Sequence, residues 1–338
     1  MNGNSKVTIK DVARQAGVST QTVSRVINDR PDVARETRER VKVIIQELGY
    51  HPSMLARGLI QGRSCTLGVV TAGLKYIGPS RTLNGITSEA EAHGYALLLE
   101  ELPHYTSTEI KPIMERLLSH RVDGILWAVP EIGDNRAWLE GQLAEVPVPI
   151  VFLTMQPRPG IESLAIDNHA GAKMAVQHLL EKGHRSIAHL AGPQEWWEAR
   201  ERLRGWQDAL REAGLAPTVC VEGNWSSGSG EQSALKLMEN HHVDAVFSAN
   251  DQMALSLLLV AQRRGMHIPT DLAVVGFDDL AESAYFYPPL TTIHQDQFAL
   301  GSRSVNRLVD IINTYQEGKV PEPMAEMILP ELFVRSTT

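Results

Sequence analysis

From Thr66 onward the chain alternates short apolar runs with longer amphipathic stretches, and few folds accommodate that alternation. One set of runs is Leu67-Gly68-Val69-Val70, Ala96-Leu97-Leu98-Leu99, Gly124-Ile125-Leu126-Trp127 and Ile150-Val151-Phe152-Leu153. A second set is Ile187-Ala188-His189-Leu190, Ala245-Val246-Phe247-Ser248 and Ala273-Val274-Val275-Gly276-Phe277. Runs this continuously apolar suit strands buried on both faces, which means parallel sheets covered by helices. A faint internal repeat divides the region: Leu117-Leu118-Ser119-His120-Arg121-Val122-Asp123-Gly124-Ile125 parallels Met238-Glu239-Asn240-His241-His242-Val243-Asp244-Ala245-Val246. Two similar α/β subdomains are implied. Open α/β sheets bind ligands off the carboxyl ends of their strands, and two facing sheets make a cleft that closes by a hinge motion.

The residues just after these runs are therefore the candidate site. Asn250-Asp251 and Asp278-Asp279 each follow a strand, Trp196-Trp197, Glu198 and Arg202 follow Leu190-Ala191-Gly192-Pro193, and Trp225 lies in Glu222-Gly223-Asn224-Trp225-Ser226. Carboxylate, guanidinium and amide groups hydrogen-bond hydroxyls, and a tryptophan face stacks on a pyranose. The bland alternative makes the post-strand acids helix caps and the tryptophans surface anchors.

The first fifty residues follow another plan. Thr8 can cap a helix with Asp11 at the capping-box distance, and Ile9, Val12, Ala13 and Ala16 give one apolar face. Gly17 ends that helix, and Ser19 starts a second with Val23, Val26 and Ile27 inward. A third helix carries Val41, Ile44, Ile45 and Leu48, and Gly49 stops it. This is a helix-turn-helix pattern, though a three-helix bundle with a solvated face would share it. Thr20, Gln21, Ser24, Arg25 and Asn28 stay outside, offering hydroxyls, amides and a guanidinium to base edges.

Charge separates the two regions. The whole chain carries −8, which argues weakly against DNA. Residues 1–63 hold 11 Lys and Arg against 6 Asp and Glu, or +5; the remaining 275 hold 21 against 34, or −13. Between the regions, His51-Pro52 breaks the chain, and Ser53 can cap a short helix ending before Gly62. A helix of about eight residues does not hold alone in water and folds only when docked.

Thr8-Ile9-Lys10-Asp11-Val12-Ala13, Ala16-Gly17-Val18-Ser19, Thr22-Val23-Ser24-Arg25-Val26-Ile27-Asn28 and Leu48-Gly49-Tyr50 closely resemble the DNA-binding head of the lac repressor (LacI/GalR) family. The resemblance runs on through Gly205-Trp206, Ala249-Asn250-Asp251-Gln252-Met253-Ala254-Leu255, Val274-Val275-Gly276-Phe277-Asp278-Asp279 and Pro288-Pro289-Leu290-Thr291-Thr292-Ile293, which look like the family's effector-binding core. It implies an α + α/β chain: a helix-turn-helix head (1–50), a hinge helix (51–63) and a two-subdomain periplasmic-binding-protein-like body (64–338). The expected subdomains are 64–164 with 294–322, and 165–293 with 323–338.

By that resemblance Thr20, Gln21 and Arg25 read the major groove, with Ser19, Ser24 and Asn28 on the same face. Ser53, Ala56 and Leu59 belong to the hinge, where Leu59 wedges into the minor groove and kinks the DNA. Gly58 costs the hinge helix about 1 kcal/mol relative to Ala and makes its folding more dependent on DNA. Arg202, Asn250 and Asp278 hydrogen-bond a sugar, Trp225 stacks on it, and Gln295 lies on the hinge side. Tyr76 and Pro79 complete the expected set, while Trp196 and Trp197 line the mouth and favour a disaccharide. Four positions depart from the family pattern: Thr154 replaces an Asp, Ala128 an Asn, Gln297 a Phe and Glu198 a Ser.

The expected protein is a cytoplasmic, sugar-responsive repressor of carbohydrate-utilisation genes, binding a pseudopalindromic operator as a homodimer because no heptad segment follows Arg335-Ser336-Thr337-Thr338. A purine or nucleoside corepressor is the alternative within the regulator class. A sugar-processing enzyme or a transport-type binding protein are alternatives outside it. Two cysteines make no disulfide framework, Met1–Lys10 has no apolar signal core, and Ala254–Ala261 is far too short to span a membrane. No catalytic set, metal or cofactor is expected. There is no HExxH, Cys-His ligand spacing or Gly-x-Ser-x-Gly, His241-His242 suit a solvated helix end, and Gly228-Ser229-Gly230 lacks a P-loop lysine and reads as a helix start.

Overall fold

The computed structural model describes residues 7–27, 30–50, 63–106, 110–217, 219–240 and 242–338. The chain divides into two compact units, 1–65 and 66–338.

In the first unit, α1 (Ile9–Ala16), α2 (Thr20–Ile27) and α3 (Arg35–Glu47) enclose a small core of Val12, Ala13, Ala16, Val23, Val26, Val41 and Ile44. The Asp11 carboxylate accepts from the Thr8 backbone N–H at 3.0 Å and hydroxyl at 2.7 Å, which satisfies the start of α1 and holds Asp11 below its ordinary pKa. Gly17 takes the left-handed conformation (φ 63°) that ends α1. Two residues later the Ser19 hydroxyl accepts from the Thr22 N–H at 3.0 Å and starts α2. A left-handed glycine followed at once by a cap is what makes the turn tight.

The second unit holds two six-stranded sheets. The first contains β1 (Thr66–Thr71), β2 (Ala96–Glu101), β3 (Gly124–Ala128), β4 (Ile150–Leu153), β5 (Ser163–Ile166) and β11 (Ala325–Ile328), in the order β11-β5-β4-β3-β1-β2, all parallel. The second contains β6 (Ile187–Ala191), β7 (Cys220–Glu222), β8 (Ala245–Ser248), β9 (Ala273–Asp278), β10 (Thr291–His294) and β12 (Glu331–Phe333), in the order β12-β10-β9-β8-β6-β7, with only β12 antiparallel. The orders match strand for strand. β3 and β8, which follow the two halves of the sequence repeat, hold equivalent places.

Each of the seven apolar runs set out above is one of these strands. Alternate residues fill opposite faces: Leu67, Val69, Leu126 and Val151 on one side of the first sheet, Val70, Ile125, Trp127 and Phe152 on the other. Each such fully buried side chain contributes about 1.5–3 kcal/mol of transfer free energy.

The helices of the first lobe are α4 (Ile77–Ala92), α5 (Lys111–Ser119), the single-turn α6 (Leu139–Gln142) and α11 (Gln297–Gln316). Those of the second are α7 (Asn168–Glu181), α8 (Trp197–Glu212), α9 (Ser227–Asn240) and α10 (Asp251–Arg263). Gly228-Ser229-Gly230 lies in the first turn of α9, a helix start. α4 and α11 touch backbone to backbone. A Cβ at Gly85 would lie 2.1 Å from the Phe298 carbonyl oxygen, and one at Gly301 2.2 Å from that of Thr82. This approach carries Thr82 up to the cleft.

The chain crosses between lobes after β5, β10 and β11. Two expected borders move. β5 extends the first lobe to Ile166, beyond 164, and β11 pairs with β5 there, so 323–328 belong to the first lobe and not the second. β11 was hidden because Ala325-Glu326-Met327-Ile328 is an edge strand that need not be apolar throughout.

Candidate functional site

The cleft lies at the carboxyl ends of both sheets. Its second-lobe wall carries Trp196, Glu198, Arg202, Trp225, Asn250, Gln252 and Asp278; its first-lobe wall carries Tyr76, Ile77, Gly78, Pro79 and Gln297, with Gln295 at the crossover. Ala128 and Thr154 line a small adjoining recess that shares Gly78, Pro79, Glu198 and Gln297 with the main cavity.

Arg202 is the central cation. It projects from α8, 5% exposed, and its Nε donates to Asn168 Oδ1 at 2.8 Å while Nη1 donates to the Ala249 carbonyl. Its guanidinium stands 3.9 Å from the centroid of the Phe277 ring and 5.4 Å from that of Trp225, and Nη1 is 3.7 Å from Asp278 Oδ1. Burial lowers its pKa against the opposing pull of Asp278.

Asp278 ends β9 in a positive-φ conformation (115°), and Asp279 follows at 48°. This turn aims Asp278 into the cleft, where Gln295 donates to its Oδ1 at 2.6 Å. Asp279 turns away and is held by Arg335 at 2.6 Å and His294 at 3.0 Å. Burial raises the Asp278 pKa, and Arg202 works against that rise.

Asn250 satisfies both readings of its position. Its Oδ1 accepts from the Met253 N–H at 3.0 Å and caps α10, while its Nδ2 donates to the Trp225 carbonyl and to Gln252 Oε1, each at 2.9 Å. Trp225 sits at φ 72°, a conformation a tryptophan rarely adopts, and the Asn250 bond helps hold it. Gly192 leaves room for its ring: a Cβ there would lie 2.2 Å from Trp225 Cη2.

Two buried polar atoms here have no partner among the described residues, Glu198 Oε2 and Trp225 Nε1. Burial pushes the Glu198 carboxyl up to about 7, with Arg202 pulling the other way. Unpaired buried acceptors and donors are costly unless a ligand or water completes them.

Trp197 corrects an expectation. It is 3% exposed and does not line the cavity. It opens α8 beside Glu198, and consecutive helical residues point about 100° apart, so the two cannot share one wall. Ile77, Gly78 and Gln252 line the cavity without having been singled out; the first two open α4 directly after Tyr76, a signal visible only once that helix is placed. Gln297, known from sequence only as a departure, donates from Nε2 to Gln295 Oε1 at 3.2 Å and accepts from the Thr82 hydroxyl at 2.9 Å.

In the first unit, Ser19, Thr20, Gln21 and Arg25 are exposed and Ser24 partly so, on one side of α2, with Arg25 3.4 Å from Asp32. Asn28, Ser53, Ala56 and Leu59 lie outside the described residues. Among the described residues, no helix is long and apolar enough to cross a membrane, and no group of His, Cys, Asp and Glu is arranged to hold a metal.

Residues 8–53 match the model of the bacterial regulatory proteins of the lacI family, and 176–338 that of the periplasmic binding protein-like domain. The lactose operon repressor of Escherichia coli (strain K12) is 36% identical over 306 residues, 90% of this chain and 84% of that protein. The HTH-type transcriptional repressor PurR of Haemophilus influenzae (strain PittEE) is 32% identical over 98% of each chain. A crystal structure of the lac repressor dimer bound to operator and the anti-inducer ONPF superposes with a TM-score of 0.85 at 35% identity, covering 98% of this chain and 99% of that one. Likeness of that depth through head and body together makes this chain a member of the lacI family of bacterial regulatory proteins, a DNA-binding transcriptional regulator and not an enzyme.

Proposed function

We propose that this protein is a homodimeric repressor of carbohydrate-utilisation genes whose hold on a pseudopalindromic operator is set by a neutral sugar or glycoside in the cleft. The observation that carries the reading is the buried Arg202–Asp278 pair beside Trp225, with Glu198 Oε2 unpaired nearby. Paired charges of opposite sign offer donors and an acceptor to hydroxyls without attracting an ion. The structural relative's anti-inducer and operator support the same reading.

In this proposal Thr20, Gln21 and Arg25 read base edges, with Ser19, Ser24 and Asn28 beside them, and Ser53, Ala56 and Leu59 form the hinge that enters the minor groove. Effector binding closes the lobes and changes how the two hinges meet. The coupling is reciprocal and of order 1–3 kcal/mol.

A second reading is a purine corepressor, since a base presents the same flat, hydrogen-bonding chemistry to the cleft. Arg202, Asp278 and Trp225 suit a base as they suit a sugar. A thermal-shift screen of mono- and disaccharides, hypoxanthine and guanine separates the two, followed by operator binding with each hit. Stabilisation by a sugar with release of DNA is the expected result. Stabilisation by purines alone, with tighter DNA binding, overturns it.

A further inference from the structure

We propose that residues 131–135 of the first lobe form a latch, which clasps the second lobe at the start of α8 by main-chain contacts separate from those to any ligand. Only its effect on DNA rests on the reading above, which couples lobe closure to operator release. The Trp197 N–H donates to the Glu131 carbonyl and the Gly133 N–H to the Glu195 carbonyl, each at 3.0 Å, and Ile132 stands opposite Trp196 in an antiparallel bridge. Away from the three crossings, these are the backbone hydrogen bonds that join the lobes among the described residues.

The first-lobe half of the latch is preformed. The Glu131 carboxylate accepts from Arg158 Nη1 at 3.0 Å, from Arg158 Nη2 at 2.7 Å and from the Gln156 N–H at 2.9 Å, while its own N–H donates to the Thr154 carbonyl at 3.0 Å. Asn135 Oδ1 accepts from the Ile132 N–H at 3.2 Å, and its Nδ2 donates to the Pro130 and Tyr105 carbonyls, each at 2.9 Å. Gly133, at φ 49°, turns the chain between them. Glu131, Ile132 and Asn135 are all buried. A segment tied this fully to its own lobe loses little freedom on meeting the other.

The second-lobe half is the start of the helix that carries Glu198 and Arg202. The first N–H groups of a helix have no partner within it. Trp196, at the cap position of α8, makes no side-chain cap, and the first lobe supplies the acceptor for the Trp197 N–H instead. Separating the lobes therefore uncaps α8 beside two of the residues that face the cleft. Trp196 itself lines both the cleft and a further cavity beside it, so the bridge also fixes the partition between the two. A contact made only when the lobes meet shifts their balance toward closure. The latch thus sets how far the regulator is closed before any effector arrives.

Hydrogen exchange read by mass spectrometry on the full-length protein, with no ligand added, tests this. Asn135→Ala and Glu131→Ala each loosen the latch within the first lobe and leave the sequence of α8 untouched. Each is expected to speed amide exchange at the start of α8 tenfold or more, with exchange in β8 and β9 unchanged. Unchanged exchange at the start of α8 in both variants overturns the latch. Should those variants fail to fold, a covalent version tests the same contact: Ile132→Cys with Trp196→Cys, in a chain whose free cysteines are removed by Cys65→Ser and Cys220→Ser. The two positions face each other at a non-hydrogen-bonded antiparallel pair, within reach of a disulfide. Mild oxidation is expected to close that disulfide within a protomer and to lower operator affinity tenfold or more, and reduction to restore it. Failure of the disulfide to close overturns the latch. A closed disulfide with unaltered operator affinity upholds the latch and sinks the coupling of closure to DNA.

Discussion

Gln295 donates its amide to Asp278 at 2.6 Å, so the crossover between the lobes holds the carboxylate that faces the cleft. The relay continues from Gln297 to Gln295 at 3.2 Å and from Thr82 to Gln297 at 2.9 Å, reaching the first lobe. Gln295→Ala breaks it and leaves Asp278 without its amide donor. Effector affinity is expected to fall about tenfold, the loss of roughly one hydrogen bond to a charged group, with operator affinity unchanged. Calorimetry and a DNA-binding titration measure the two separately.

Arg202→Ala removes the donors on Asn168 and Ala249 and the positive charge beside Asp278. The effector response should vanish while operator binding persists. Stability should drop by about 1–3 kcal/mol, because buried acceptors are left unsatisfied. A normal response in an operator-release assay would remove Arg202 from the site.

Glu198 gives the fold a pH dependence. Its carboxyl rises from an ordinary value of 4.5 to about 7 because burial penalises the charged form. A raised acid stabilises the fold most below its unfolded pKa and loses that contribution as pH climbs through its folded one. Unfolding in urea at pH 5 and pH 8.5 should therefore show Glu198→Gln losing less stability than the parent, by about 3 kcal/mol at most. Asp251, also raised to about 7, acts with the same sign in both proteins and cancels in the comparison.

Asp251 ties the second lobe together. Its carboxylate accepts from the Leu280 N–H at 2.9 Å and from the Ser283 and Thr292 hydroxyls at 2.6 Å each. Asp251→Ala orphans all three donors and should cost about 3 kcal/mol or more, read as a lower urea midpoint.

Gln21 and Arg25 lie on the exposed side of α2. Alanine at either position is expected to relax preference at one base pair by about 1–3 kcal/mol, measured with operators randomised one position at a time. A uniform loss across all sequences would assign the residue to phosphate instead.

The strands were legible because a strand buried on both faces must be apolar throughout, as Val69-Val70 and Ile125-Leu126-Trp127 are. β10 escaped because Thr291 and Thr292 are buried yet polar, their hydroxyls satisfied by Thr338 and Asp251. β7 and β12 escaped as short, partly exposed edges. In the site, Arg202, Trp225, Asn250 and Asp278 were legible from their places after strands. The direction of Trp197 was not, since it depends on the phase of α8 against the sheet.

By itself the sequence determined the classes of structure: a capped helix-turn-helix head, two similar sheets built on parallel strands, and polar groups set at their carboxyl ends. Local propensity and apolar periodicity are properties of neighbours in the chain, and they survive without a fold. Tertiary structure decided which lobe takes 323–328, that Gln297 joins Thr82 to Gln295, and that Trp196 parts two cavities. Each of these rests on contacts between segments far apart in sequence, fixed only when both sheets have packed.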